Sequence, residues 1–198
     1  MVKRESPLGP ALRPDLHGRS DGGSGVTLSE VTPTFMAEAA AWPGGKKILA
    51  AAIGDVTGLA LPASPNAGAL GAGAAAFSIG PERFFVAGSE GFAARLAAAL
   101  PLETGTVTDL SHGRTAIRIA GPRAEWVLSK LFAIDFSADA FAVAEGRATA
   151  HHDITAQIQR TGATQFDIFV FRSLARSFWR ILREASAEVG YEVLSGEG

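Results

Sequence analysis

The sequence predicts an α+β protein: an antiparallel sheet with helices on one side, a ferredoxin-like theme. Three observations carry this. In Thr108–Lys130, TDLSHGRTAIRIAGPRAEWVLSK, Thr115, Ile117 and Ile119 alternate with Arg114, Ala116 and Arg118, so a strand with one apolar face runs into an amphipathic helix. Phe166–Leu182, FDIFVFRSLARSFWRIL, repeats the step, with Phe166, Ile168 and Val170 ahead of a helix that starts at Ser173. The third is the order of elements, β, α, β, β, α, β, β, β, α.

Taken in order, residues 1–25 are rich in Pro, Gly and charge with little to bury, so they read as a flexible N-terminal arm that could wrap a neighbour. Residues 26–194 read as a single α+β domain with room for two lobes. Val26–Val31 is a strand, Thr34–Trp42 a brief helical turn cut off by Pro43, and Leu59–Ala76 a loop broken by Pro62, Pro65 and glycines. Arg83–Ala87 is a strand, and Ser89 caps a helix over Glu90–Leu100 that Pro101 ends. Strands follow at Gly105–Leu110 and Gly113–Ile119, then a helix with Pro122 at its first position. Ala142–Ala150, Asp153–Gln159 and Gln165–Phe171 are strands, and Ser173–Val189 is the last helix, closed by Gly190.

A formal net charge of −2 leaves no global electrostatic case for nucleic acid or an acidic membrane. With no cysteine there is no disulfide framework, thiolate nucleophile or thiolate metal site. The N-terminal stretch has basic residues but no apolar run of signal-peptide length, and nothing reaches membrane-spanning length, so a soluble, cytoplasmic protein is expected.

Candidate chemistry is weak at each place where residue types suggest it. Gly71-Ala-Gly73-Ala-Ala-Ala76 fits the loosest dinucleotide pattern, but a proline-rich loop precedes it and Pro81 follows where the phosphate-binding helix should run. Gly44-Gly-Lys-Lys47 lacks P-loop spacing. Asp109, Ser111 and His112 are the residue types of a hydrolase triad, but a triad converges from separate parts of a fold, and local turn hydrogen bonding accounts for them better. His151 and His152, adjacent on a strand, should point to opposite faces and not share a metal with Asp153.

The last helix carries more. Leu174, Phe178, Ile181, Leu182, Ala185 and Val189 form one apolar arc, while Arg172, Arg176, Arg180 and Arg183 line the other side with Trp179 among them. On the helix after Pro122, Ala124, Val127, Leu128, Leu131 and Phe132 face inward and Trp126 lies outward beside Arg123 and Lys130. Outward tryptophans among arginines are the composition of an interface hot spot. The alternative is that the N-terminal part of the same chain covers them. The expected interface residues are therefore Trp126, Arg172, Arg176, Trp179, Arg180 and Arg183, with no catalytic, cofactor-binding or metal residue assigned.

Leu61-Pro62 with Pro65-Asn66, Ile79-Gly80-Pro81-Glu82-Arg83-Phe84-Phe85-Val86, the run Val107–Pro122, and Phe166–Ser173 with Trp179 together resemble the gamma subunit of heterotetrameric sarcosine oxidase, from about residue 55 to 190. More remotely, Asp109-Leu-Ser-His112 and Gly121-Pro122 resemble the folate-binding aminomethyltransferase of the glycine cleavage system. The resemblance implies a complex with alpha, beta and delta subunits. Such a complex oxidatively demethylates sarcosine to glycine, makes hydrogen peroxide and passes a one-carbon unit to tetrahydrofolate. It implies that FAD, FMN, NAD and the folate site belong to the large subunits and zinc to the delta subunit, leaving the gamma chain structural. Where aminomethyltransferases pair two aspartates, the counterpart here is His152-Asp153, and one carboxylate argues against folate chemistry on this chain. A free-standing folate-binding or aminomethyl-transferring enzyme is the alternative, and a general scaffold unrelated to sarcosine is a third possibility.

Overall fold

The computed structural model describes residues 5–18, 23–31, 35–66 and 68–195. The chain divides into two compact units, one of residues 1–33, 113–143 and 149–198, the other of residues 34–112 with 144–148.

The first unit is built on strands β1 (Asp15–His17), β2 (Val26–Val31), β8 (Arg114–Ala120), β10 (Ile154–Gly162), β11 (Gln165–Phe171) and β12 (Tyr191–Val193), with helices α3 (Ala124–Ser129) and α4 (Ala175–Ser186). Including β9 (Gly146–His151), the sheet order is β1-β12-β2-β8-β11-β10-β9. β8 and β11 pair antiparallel, with Ile117 opposite Ile168 and Ile119 opposite Phe166. The two alternating patterns of the sequence thus merge into one apolar face. The core they form also takes in Ala124, Val127 and Leu128 of α3 and Phe178, Trp179 and Leu182 of α4. One position along, Arg118 faces Asp167 in the same register and binds it with two hydrogen bonds, of 2.7 and 2.9 Å, the fork-to-carboxylate geometry that fixes strand alignment.

The second unit holds β3 (Phe35–Ala41), β4 (Gly68–Gly71), β5 (Ala74–Gly80), β6 (Arg83–Gly88) and β7 (Gly105–Asp109), with helices α1 (Lys46–Thr57) and α2 (Phe92–Ala99). Its sheet runs β4-β5-β6-β3-β7 and is antiparallel throughout. Ala37 and Ala39 of β3 pack with Leu49 and Ile53 of α1, Phe84 and Val86 of β6, and Phe92 and Leu96 of α2.

The α+β class holds, and several finer expectations are corrected. The described residues form two sheets rather than one, and the first is mixed because β12 runs parallel to β2, with Tyr191 beside Val26. A three-residue strand shows no periodicity of its own. Of the expected helical turn at Thr34–Trp42, Thr34 lies outside the described residues and the rest is not helical: Phe35–Ala41 is a central strand bonded to β6 on one side and β7 on the other, so tertiary pairing overrides the helical preference of alanine. The expected loop at Leu59–Ala76 contains β4 and the start of β5, which Gly73, at φ 75°, joins as a hairpin. α2 begins at Phe92 after Gly91 and has no side-chain cap, so Ser89 does not cap it. α3 begins at Ala124, with Gly121-Pro122 in the preceding turn.

Candidate functional site

Helix α4 follows a 3-10 turn at Arg172–Leu174. It buries Ala175, Phe178, Trp179, Leu182 and Ser186, whereas Leu174, Ile181, Ala185 and Val189 are only partly buried against the same core. The buried face is thus rotated from the expected arc toward Trp179, which is 1% exposed. The outward placement expected for Trp179 is therefore corrected. What covers it comes from the N-terminal segment of the same unit. Arg172 Nη2 donates to the carbonyl of Glu5 at 2.6 Å, Arg176 Nε to that of Pro7 at 2.9 Å, and Trp179 Nε1 to that of Ala11 at 3.3 Å. Arg172 from the 3-10 turn and Arg176 and Trp179 from α4 are thus three successive donors that hold this segment, which bends at Pro7-Leu8 into a 3-10 turn at Gly9–Ala11. Leu8, fully buried, seats in the core beneath, and Ser6 donates its hydroxyl to Glu30.

The remaining members of the expected interface divide. Arg176 and Arg180 are exposed. Arg183 is half-buried, donates to the Tyr191 hydroxyl at 2.9 Å, and lies 5.7 Å from that ring's centroid. Trp126, on α3, is 49% exposed, with Arg123 5.7 Å from its ring. Beside it Lys130 Nζ contacts Glu188 at 3.0 Å and the Ala185 carbonyl at 2.5 Å. Hydrogen bonding and charge from Lys130 hold the Glu188 carboxyl below the usual glutamate range.

Sequence reasoning missed Phe171. It ends β11 opposite Arg114 in the β8 register, is 41% exposed, and has the Arg114 guanidinium carbon 3.4 Å from its ring centroid. A groove of about 680 Å³ opens there, lined by Pro7, Gly113, Phe171, Arg172, Ser173 and Arg176. The FVFRS run held the signal: strand alternation places Phe171 on the face opposite Phe166, Ile168 and Val170.

The other candidates resolve into local structure. Ser111 N–H donates to Asp109 Oδ1 at 2.8 Å, and Ser111 Oγ accepts from Met36 N–H at 3.1 Å and donates to the Met36 carbonyl at 3.3 Å. Asp109 and Ser111 therefore build a turn, while His112 is exposed. His151 Nδ1 lies 2.8 Å from the Leu131 carbonyl. His152 sits in a turn at φ 52° and its ring is 4.5 Å from that of His151, so the expected opposite-face separation of the two rings is corrected. Among the described residues no group of three or more His, Cys, Asp or Glu could hold a metal ion. Gly71-Ala72-Gly73-Ala74 is a hairpin turn. Within the second unit a cavity of about 560 Å³ is lined in part by Lys46, Asn66, Ser78, Glu82 and Arg147. Ser78 bonds the Gly80 carbonyl, Glu82 accepts from Gly44 N–H, and Arg147 pairs with Glu145 at 3.0 Å. These polar groups hold their own neighbours and form no nucleophile–base pair.

The family model of the GCVT N-terminal domain matches residues 65–196. A sarcosine oxidase subunit gamma of Arthrobacter sp. is 38% identical over 141 residues, which cover 69% of this chain and 68% of that protein. The chain belongs to the sarcosine oxidase gamma-subunit family. A second gamma subunit, from Corynebacterium sp. strain U-96, is 35% identical over 167 residues, or 81% of this chain and 73% of the relative. A chain of the heterotetrameric sarcosine oxidase of Corynebacterium sp. U-96 superposes with a TM-score of 0.77 at 30% identity, covering 93% of this chain and 95% of that one. The glycine cleavage system aminomethyltransferase T of Bartonella henselae superposes with a TM-score of 0.60 at 15% identity, over 92% of this chain and 57% of that chain, so this gamma-subunit family shares the fold of that transferase. The resemblance first read from the motifs around Pro65, Gly80, Gly121 and Phe171 is borne out.

Proposed function

We propose that this chain is a structural, non-catalytic gamma subunit of a heterotetrameric sarcosine oxidase. The observation that carries the reading is the superposition over nearly the full length on a chain of such an enzyme. It is supported by how Asp109, Ser111, His151 and the polar wall of the cavity are spent on local bonds. The complex would demethylate sarcosine with oxygen and water, giving glycine, hydrogen peroxide and a one-carbon unit at the formaldehyde level, taken up by tetrahydrofolate when present. FAD, FMN, NAD, zinc and the folate site would lie in the alpha, beta and delta subunits. The two-sheet α+β fold, shared with the transferase, would serve here as a scaffold. The assembly would be cytoplasmic; no described helix is long and apolar enough to cross a membrane.

The face of α4 and α3 that carries Arg172, Arg176, Arg180, Arg183 and Trp126 would dock a larger subunit, with Trp179 supporting it from below. Coexpression of this chain with its alpha, beta and delta partners, followed by size-exclusion chromatography, tests the reading: one complex with all four chains is expected. Calorimetry of the isolated chain with tetrahydrofolate tests the alternative, a free-standing folate-binding or aminomethyl-transferring enzyme; micromolar binding to this chain alone would favour that enzyme and overturn the structural role.

A further inference from the structure

The groove at the end of β11 brings two arginines and an exposed aromatic ring into one lining. Its lining includes Arg172 and Arg176 and no carboxylate, although the chain as a whole carries a net charge of −2. A third positive charge, that of Arg114, lies under the Phe171 ring, where a cation and an aromatic face attract. Arg172 uses Nη2 and Arg176 uses Nε to hold the carbonyls of Glu5 and Pro7. A guanidinium has five N–H donors in a fixed fork, so each arginine is already oriented and keeps further donors for a ligand. Preorganised arginines bind carboxylates in paired hydrogen bonds, with little additional loss of side-chain freedom. Phe171, 41% exposed in the same lining, is large enough to anchor an apolar side chain.

We propose that this groove is the docking site for an acidic peptide segment of a partner subunit, whose carboxylates engage Arg172 and Arg176 while an adjacent apolar side chain covers Phe171. The proposal rests on the subunit reading above and narrows it. The contact is placed at the corner where β11 enters α4 rather than along the length of α4. The N-terminal segment forms part of the site, since Pro7 lines the groove and the carbonyls of residues 5 and 7 orient its arginines. A nucleic acid would need a longer basic track, which a groove of about 680 Å³ with two arginines does not offer.

The test coexpresses the tagged full chain with its three partner subunits and measures the amount of complex recovered at low and high salt. Compared are wild type, Phe171→Asp, the double variant Arg172→Glu with Arg176→Glu, and Arg95→Glu, a charge reversal on α2. Circular dichroism and limited proteolysis of each free chain report folding and the hold on residues 5–18. Wild type and Arg95→Glu should assemble fully, and Phe171→Asp and the double variant should lose at least tenfold in recovered complex. The wild-type complex should weaken as salt rises, because screening acts on exposed charge pairs. If the double variant releases residues 5–18, Phe171→Asp decides, because it leaves both carbonyl bonds in place and puts a carboxylate into the groove. Wild-type assembly with Phe171→Asp recovered in full would overturn the groove and leave the subunit reading standing. A loss for Arg95→Glu equal to that of Phe171→Asp would also overturn it. Failure of wild type to assemble would overturn both.

Discussion

The indole N–H of Trp179 donates to the carbonyl oxygen of Ala11 at 3.3 Å, across 168 positions of sequence. With Arg172 and Arg176 on the carbonyls of Glu5 and Pro7, it makes the 3-10 turn and α4 together a clamp on the N-terminal segment of their own unit. A stripe that reads in the sequence as a surface for another chain is therefore first an internal fastening. Any docking on it presents a composite surface, part helix and part strap.

Trp179→Ala should cost about 3–5 kcal/mol, the range for truncating a large buried aromatic, and should make residues 5–18 sensitive to protease. Trp179→Phe keeps much of the volume and loses one hydrogen bond, so about 1 kcal/mol beyond its smaller size is expected. Chemical denaturation and limited proteolysis check both. Trp179 is thus unsuited to alanine scanning as an interface residue, since its loss would act through the core.

Arg160 is 2% exposed and donates to the carbonyls of Phe136 at 2.8 Å and Phe141 at 3.2 Å and to Glu125 at 2.6 Å. Its guanidinium carbon also lies 5.1 Å from the Phe166 ring centroid. It gathers the segment between α3 and β9 onto the sheet. Arg160→Met should destabilise by about 3 kcal/mol, because the carbonyls of Phe136 and Phe141 lose their donor. The melting temperature of the variant checks this.

Gly68 and Gly73 should respond to alanine unequally. A Cβ at Gly68 would lie 1.8 Å from the Ala144 carbonyl oxygen, a backbone atom with little room to move, whereas at Gly73 it meets nothing within 4 Å and only the φ of 75° opposes it. Gly68→Ala should cost about 3 kcal/mol through overpacking, and Gly73→Ala about 1 kcal/mol through the left-handed backbone. Equal costs in denaturant titrations would contradict this account of the β4–β5 hairpin.

Glu188 has its carboxyl held below the usual range by Lys130, with smaller contributions from Trp126 and Arg123. A carboxylate whose folded pKa is depressed adds stability above its unfolded pKa and loses it as pH falls through the folded one. Glu188→Gln should therefore lower the melting temperature slightly at neutral pH, and the difference from wild type should vanish as acid protonates the carboxyl. A difference that grows on acidification would contradict the Lys130 contact.

β8 and β11 were legible because Ile117 and Ile119, and Phe166, Ile168 and Val170, fall on alternate positions, although both strands are buried on both faces, and the two helices of the first unit because a one-sided apolar stripe leaves a period in the sequence. β3 was not, since its Met-Ala-Glu-Ala-Ala run favours helix locally and becomes a strand only through its partners β6 and β7. The β4–β5 hairpin was hidden by glycine and alanine, which carry too little side chain to show alternation. The arginine face was visible, but its division was not. Trp179 and Arg176 are neighbours on a helical wheel, and only the distant segment around Leu8 decides that one is buried and the other exposed. Phe171 was not legible because it ends β11 on the face opposite the apolar row of Phe166, Ile168 and Val170.

The most direct measurement is the subunit composition and activity of what purifies with a tag on this chain when its partner subunits are coexpressed. The account predicts one complex of four different polypeptides that makes hydrogen peroxide from sarcosine, and an isolated chain that neither turns over sarcosine nor binds tetrahydrofolate. Recovery of this chain alone, with tetrahydrofolate bound to it, would contradict the account.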